Sequence, residues 1–392
     1  MTERRSLPDF AESQLSILPI ERSETIPSSW YAAPEFHDFD RRQIFGATWQ
    51  YAGPSPQVQQ PGDYFLATVA GNPIIVIRGK DNVLRAFYNV CRHRGGPLAI
   101  EPAGNCSILQ CKYHGWTYLL DGSLRGTPKF DRTELFDAKD FGLVLVQIKT
   151  WENLIFVNLN PSRSAIVDLG TVMNGVHRGV APGSLAGKHF YRRIGYDIHC
   201  NWKVYVDNYL EGYHLPFVHP ELCNLLDYQK YVTETFEYAS LQYSPFTGAE
   251  NVYTGGDGEA YYYFVFPNFM LNILPGRLQT NLVLPVSHNS CRVVFDFFYD
   301  DVTTPSTLKM INNDIQYSDR VQKEDIEICE LVQRGLESQA YDKGRFSVEM
   351  EQGVYHFQCL LKQWYKTSSQ KNKGGKHEFA TKSRSHEGKK TI

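Results

Sequence analysis

No apolar run in this 392-residue chain is long enough to cross a bilayer; a spanning helix needs about 20 such residues, so a helical membrane protein is excluded. Charge of one sign is lacking too. The 40 Lys and Arg stand against 43 Asp and Glu, a net charge of −3, which gives nucleic acid no electrostatic foothold. No internal repeat is visible, which excludes a stacked-repeat architecture. The first residues, Met1 to Glu12, are polar and mixed in charge rather than an apolar leader, and the expected compartment is the cytosol. Closely spaced cysteine pairs are missing as well: Cys106, Cys200, Cys223, Cys291, Cys329 and Cys359 are scattered singly and read as buried thiols in a reducing environment. Apolar residues are plentiful, at 42% with 14% aromatic, enough for the cores of two domains.

The two remaining cysteines fall in a pattern. Cys91 and His93 stand in Cys-Arg-His-Arg-Gly-Gly, and Cys111 and His114 in Cys-Lys-Tyr-His-Gly-Trp. Two Cys-plus-His pairs suit a Rieske [2Fe–2S] cluster, with thiolates on one iron and imidazoles on the other; replacing two thiolates by neutral ligands raises the potential to roughly −150 to +300 mV. A structural zinc site also takes two Cys and two His. Zinc motifs group like with like, whereas each half here is mixed. Gly95 and Gly96 permit close backbone approach, and Pro97 fixes the turn that follows.

The hydrophobic rhythm divides the chain. From about 48 to 160, short alternating runs such as Asn72–Arg78 and Asn153–Asn158 are broken by turn signals at Gly62-Asp63, Lys80–Asn82 and Asp121-Gly122, the pattern of antiparallel strands with both cluster pairs in turns. Residues 161–365 mix a polar-aromatic helix near 200–215, strands from about 230 to 300, and a charged helix that Thr304-Pro305 starts as N-cap and N1. Residues 1–47 are expected to pack on this second domain. The stretch 366–392 holds eight Lys or Arg and few apolar residues, and is expected to be a disordered, solvated tail.

A second site gathers in 201–219. On a continuous helix Asp207, Glu211 and His214 share one stripe by their i, i+4, i+7 spacing. His219 would point away, but Pro216 is expected to bend the chain and return it toward His214. Two imidazoles and a carboxylate form a facial triad that holds non-haem Fe(II) and leaves positions open for O2. Glu324, Asp325, Glu327 and Glu330 all offer the carboxylate, and spacing does not choose among them. Asn201 and Asp207 are candidates to orient the histidines, Asp207 alternatively stabilising its helix.

Taken together, Cys91-x-His93, Cys111-x-x-His114 and Glu211-x-x-His214-x-x-x-x-His219 resemble the oxygenase (α) subunit of Rieske non-haem iron oxygenases, over about Trp30 to Tyr365. The resemblance implies an α+β chain: an antiparallel Rieske domain, then a catalytic domain whose antiparallel sheet is packed by helices in helix-grip, Bet v1-like fashion. It also implies Asp325 as third iron ligand and NAD(P)H electrons delivered by a separate flavin/iron–sulfur reductase. A homotrimer is implied too, in which the carboxylate three residues before the first iron histidine links one subunit's iron site to its neighbour's cluster histidine, His93 or His114. Most members carry aspartate there; Glu211 is similar to the branch acting on choline, glycine betaine, carnitine and proline betaine.

That branch implies a small quaternary ammonium substrate, hydroxylated or N-dealkylated by a monooxygenase. Cation–π attraction would hold it, and Tyr205, Tyr209, Tyr213, Tyr261 to Phe264, Phe266 and Phe269 are the candidate rings. Strand alternation points Tyr261 and Tyr263 one way, Tyr262 and Phe264 the other. An arene dioxygenase forming cis-diols would use the same metals. A non-enzymatic Rieske electron carrier would need only residues 48–160 and leaves His214 and His219 unexplained.

Overall fold

A computed structural model describes residues 8, 10–162, 166–177, 184–247 and 258–381, with side chains as far as 370. The chain is α+β, and its two large sheets are each seven-stranded and antiparallel. In the first domain β1 (Gln50–Pro54), β2 (Asp63–Val69), β3 (Asn72–Arg78), β4 (Leu84–Tyr88) and β5 (Ala103–Asn105) are followed by a small three-stranded sheet, β6 (Leu109–Gln110), β7 (Thr117–Tyr118) and β8 (Leu124–Gly126). The strands β9 (Leu145–Trp151) and β10 (Leu154–Asn158) then close the order β1-β10-β9-β4-β3-β2-β5. The turn signals work as read: Gly62, Asn82 and Gly122 all carry positive φ, a conformation open to Gly and tolerated by Asn.

The second domain is built on β11 (His189–Ile198), β12 (Val232–Thr235), β13 (Ala239–Pro245), β14 (Glu259–Val265), β15 (Phe269–Leu274), β16 (Arg277–Ser287) and β17 (Ser290–Tyr299), in the order β11-β17-β16-β15-β14-β13-β12. This sheet is buried on both faces, and strand alternation decides what each face meets. Leu278, Leu282, Tyr263 and Phe298 turn toward Trp49, Tyr51 and Phe156 of the first domain. Val283, Phe264, Phe295 and Phe297 turn toward the helices. The domains are further joined where Tyr51 donates to Asp296 (2.7 Å), which Arg193 also holds by two hydrogen bonds.

Eight α-helices, counted among the described residues, pack with the sheets: α1 (Ser29–Ala32), α2 (Pro34–Asp40), α3 (Leu169–Val172), α4 (Trp202–Tyr209), α5 (Leu215–Val218), α6 (Pro220–Leu225), α7 (Pro305–Leu336) and α8 (Gln352–Thr381). None is long and apolar enough to cross a membrane. Trp30, Phe36, Phe39 and Phe45 of the N-terminal segment share one core with Trp202 of α4 and Phe357 and Leu361 of α8. At its centre Asp40 accepts from Trp202, Tyr365 and the fully buried Lys203. Thr304 and Pro305 do start the charged helix.

Two expectations fail. The helix near 200–215 stops at Tyr209, capped at Leu210. The tail read as disordered from 366 is instead helical through Thr381, because elongating a helix already anchored by Phe357, Leu361 and Tyr365 gains a hydrogen bond per residue. Residues 382–392 lie outside the described residues.

Candidate metal centres

The first centre sits on two matching loops. In one, Cys91 N–H donates to the Gly96 carbonyl and Gly95 N–H to that of Cys91; in the other, Cys111 N–H donates to Trp116 and Gly115 N–H to Cys111. Gly95 and Gly115 both need positive φ, and a Cβ on Gly96 would lie 2.9 Å from Cys111 Sγ, so these glycines set how closely the loops approach. Both thiols are buried, and burial pushes the Cys91 thiol up from its ordinary range. The Tyr118 hydroxyl lies 3.2 Å from Cys91 Sγ. His93 stacks on Trp116 at 4.8 Å, and its ring lies 4.8 Å from that of His114. His93 Nδ1 is buried with no hydrogen-bond partner, as a ring nitrogen kept for a metal would be.

The second centre comes from the break after α4. Glu211 folds its carboxylate back to accept from the N–H groups of Tyr213 and His214, and its Oε1 meets His214 Nδ1 at 2.7 Å. Asp207, Glu211 and His214 therefore do not share a helical stripe; the turn, not the helix, joins Glu211 to His214. Pro216 acts differently from the expectation as well. It sits in the first turn of α5, where a missing N–H costs nothing, and the second bend is at His219, with φ −122 and ψ 59. The two imidazoles meet even so, their rings 5.1 Å apart.

Of the four candidate carboxylates on α7, Asp325 faces them. Its Oδ1 lies 2.9 Å from His219 Nε2 and 3.9 Å from His214 Nε2. Glu324 takes the opposite side of His219, at Nδ1 (2.6 Å); Glu330 accepts from the His199 N–H, and Glu327 is exposed. His219 is 2% exposed. Burial opposes its protonation, but Asp325 and Glu324 on either side hold its pKa above the ordinary value. With Nδ1 of each histidine on a glutamate, both Nε2 atoms aim at one point beside Asp325, the convergence that a single metal ion requires. Among the described residues, His214, His219 and Asp325 are the one set of three or more such donors lying within 4.8 Å of one another.

Asn201 and Asp207 do not orient the histidines. Asn201 caps α4, accepting from Lys203 N–H and donating to the carbonyls of Tyr31 and His288. Asp207 accepts from Tyr31 (2.5 Å) and Gln358, and burial pushes its carboxyl up to about 7. The orienting falls to Glu211 on His214, to Glu324 on His219, which sequence offered only as a ligand, and to Asn208, which sequence missed and whose Nδ2 donates to Asp325 Oδ1 at 2.7 Å. Being next to Asp207 was the only signal of Asn208.

A cavity of about 120 Å³ opens on this centre. Tyr205, Tyr209 and Tyr262 line it as candidates, joined by Tyr231, Tyr317 and Phe295, which sequence did not single out. Tyr213 is half exposed, and Tyr263, Phe264, Phe266 and Phe269 are core. Tyr261 stacks on Tyr243 outside the cavity.

Residues 48–149 match the Rieske [2Fe-2S] domain family, and residues 186–367 the ring hydroxylating alpha subunit (catalytic domain). Choline monooxygenase of Arabidopsis thaliana, a chloroplastic protein, is 38% identical over 362 residues, covering 88% of this chain and 83% of that one. The chain belongs to the Rieske non-haem iron oxygenases. The oxygenase subunit of carnitine monooxygenase from Acinetobacter baumannii is 30% identical, over 87% of this Rieske oxygenase and 95% of that subunit. A solved quaternary ammonium Rieske monooxygenase, described for carnitine oxidation by gut microbiota and inter-subunit electron transfer, aligns at a TM-score of 0.83 and 28% identity, covering 92% of this chain and all of that one. The cofactors of this Rieske oxygenase are a [2Fe–2S] cluster and a mononuclear iron.

Proposed function

We propose that this Rieske oxygenase is the oxygenase component of a two-component monooxygenase that hydroxylates or N-dealkylates a small quaternary ammonium compound. Cys91, His93, Cys111 and His114 would hold the cluster, and His214, His219 and Asp325 the mononuclear iron. When bound, these groups supply one-electron transfer and the reductive activation of O2. The protein's part is to place donors, substrate and protons. Glu211 and Glu324 accept from Nδ1–H of the two histidines and so keep each Nε2 unprotonated for the metal, and Asn208 steadies the Asp325 carboxylate.

The observation that carries the substrate reading is the cavity wall. Five tyrosines, Tyr205, Tyr209, Tyr231, Tyr262 and Tyr317, line the cavity, and a ring face attracts an onium group by about 0.5–2 kcal/mol. The same cavity carries Gln242, Asn272, Gln279 and Asn281. These amides are held by Tyr209, Tyr231, Arg277, Ser318 and one another, so the wall is polar where an arene calls for an apolar one, and the cis-diol reading is disfavoured. An electron carrier has no use for this cavity.

The family implies electrons from an NAD(P)H-dependent flavin/iron–sulfur reductase and a homotrimer, with Glu211 of one subunit meeting a cluster histidine of the next. Exposure of His114 on its loop suits such a contact. The cytosol is our proposed compartment; none of the eight cysteines is in a disulfide, not even Cys200 and Cys291, whose sulfurs lie 3.9 Å apart. The test is a single turnover of iron-reconstituted, chemically reduced protein under ¹⁸O₂ with quaternary amines and small arenes. Label in an alcohol or aldehyde derived from an amine is expected. A doubly labelled cis-diol from an arene would overturn the proposal.

A further inference from the structure

The proposed ammonium site uses Tyr205, Tyr231 and Tyr317, which lie by Asp325, Glu211 and Glu324, and leaves the part of the cavity beyond Tyr262 unexplained. That part contains a buried cation. Arg277, 5% exposed, lines the cavity together with Gln279 and Asn281, because alternate residues of β16 face the same way. Its guanidinium donates through Nη1 to Asp314 and through Nη2 to Gln279, and sits 5.7 Å from the centre of the Phe297 ring. Asp314 is not part of the cavity lining. It is held from behind by Tyr299, whose hydroxyl donates to Oδ2 at 2.6 Å. The carboxylate therefore anchors Arg277 from outside the cavity, and the guanidinium is the charged group presented to an occupant there.

Helix α7 gives the scale. Asp325 marks the metal end, and Ser318, whose hydroxyl donates to Gln279 Oε1 (3.2 Å), lies two turns earlier. At 1.5 Å per residue Ser318 is roughly 10 Å from Asp325 along the helix, and Asp314, the partner of Arg277 itself, roughly 16 Å, so the guanidinium lies within this range of the metal end. A trimethylammonium carbon near the metal centre, an intervening carbon or short chain and a carboxylate hydrogen-bonded to a guanidinium together span a length of this order. A purely cationic ligand such as choline would instead bring like charge toward the cavity-facing guanidinium, whose Asp314 counter-charge lies on the far side and offsets only part of the repulsion. Guanidinium also matches a carboxylate by two parallel hydrogen bonds.

We infer that Arg277 is a specificity-determining residue that binds a carboxylate, so that the substrate is a zwitterionic betaine with its ammonium at the tyrosines and its anionic end at Arg277. This rests on the ammonium reading above, and the experiment separates the two. Binding of four probes to the full-length protein is measured by titration calorimetry: glycine betaine, its neutral-ended amide betainamide, choline, and 3,3-dimethylbutyrate, which keeps the carboxylate but replaces the ammonium by a tert-butyl group. Glycine betaine is expected to bind at least tenfold more tightly than betainamide and choline, and Arg277→Gln to abolish that preference while leaving choline binding no weaker. Arg277→Lys, which keeps the charge but not the fork, should retain part of it. Equal binding of glycine betaine and betainamide by the wild type overturns the assignment without recourse to any variant, as does a carboxylate preference that survives in Arg277→Gln. The ammonium reading is judged by the other pair. If 3,3-dimethylbutyrate binds as well as glycine betaine and is lost in Arg277→Gln, the carboxylate role of Arg277 stands, whereas the ammonium site and the betaine as substrate both fall.

Discussion

Asp325 and Glu324 are adjacent and both touch His219, yet they do different things. Asp325 approaches both Nε2 atoms, whereas Glu324 reaches only the far nitrogen of one ring. Asp325→Ala is expected to eliminate the mononuclear iron and leave the visible absorbance of the Rieske cluster unchanged. Glu324→Gln should bind iron still, with affinity reduced by about 10–100-fold, the usual effect of losing a partner behind a metal ligand; iron titration followed by chelator competition measures both. Asp207 carries a pH dependence of its own. Its folded pKa of about 7 lies above the ordinary 3.8 because of burial, so between these values the folded chain keeps a proton that the unfolded chain has released. Stability from this group therefore falls as pH rises from about 4 to about 7, by up to about 4 kcal/mol at 1.36 kcal/mol per unit. Urea midpoints at pH 5 and pH 8 should differ less in Asp207→Asn than in the wild type.

At the scale of elements, α4 is short, and its ends matter more than its propensity. Asn201 supplies three hydrogen bonds at the N-terminus, one of them the cap. Asn201→Ala should cost about 1 kcal/mol for the cap and a further 1–3 kcal/mol for each buried carbonyl left without a donor, read as a lower thermal midpoint. The opposite face of the same helix is tied to α2 and α8 through Asp40. Burial lowers the Lys203 pKa, and Asp40 opposes that shift. Asp40→Ala leaves the ammonium buried without its counter-charge and is expected to destabilise by about 3–5 kcal/mol, visible in the urea midpoint. Helix α4 thus transmits the packing of the N-terminal segment to Asn208, and so to Asp325.

At the scale of the whole molecule, the link that matters runs between subunits. Glu211 already holds His214 within its own chain, and the trimer we propose gives it a second partner in a neighbour's cluster histidine. Glu211→Gln keeps the side chain's length but removes the charge and turns one acceptor into a donor. Cluster and iron contents should stay normal while reoxidation of the reduced cluster in the presence of O2 and substrate slows by at least tenfold in stopped-flow absorbance. Unchanged coupling would remove Glu211 from the path.

What the sequence determined by itself was local chemistry: Cys91, His93, Cys111 and His114 in turns, the strand rhythm on both sides of them, the start of α7, and two histidines near a carboxylate. Each of these depends on residues close in sequence, whose spacing and turn geometry are set by the backbone. Tertiary structure decided the rest. It singled out Asp325 from four neighbouring carboxylates, because only the docking of α7 against α4 and α5 turns one of them toward His214 and His219. It assigned Asn201 and Asp207 to capping and core packing, since their partners, Tyr31, His288 and Gln358, are remote along the chain. It also brought Arg277, Tyr231 and Tyr317 into one cavity, because residues from a strand, a loop and a helix become neighbours only when the sheet closes around α7.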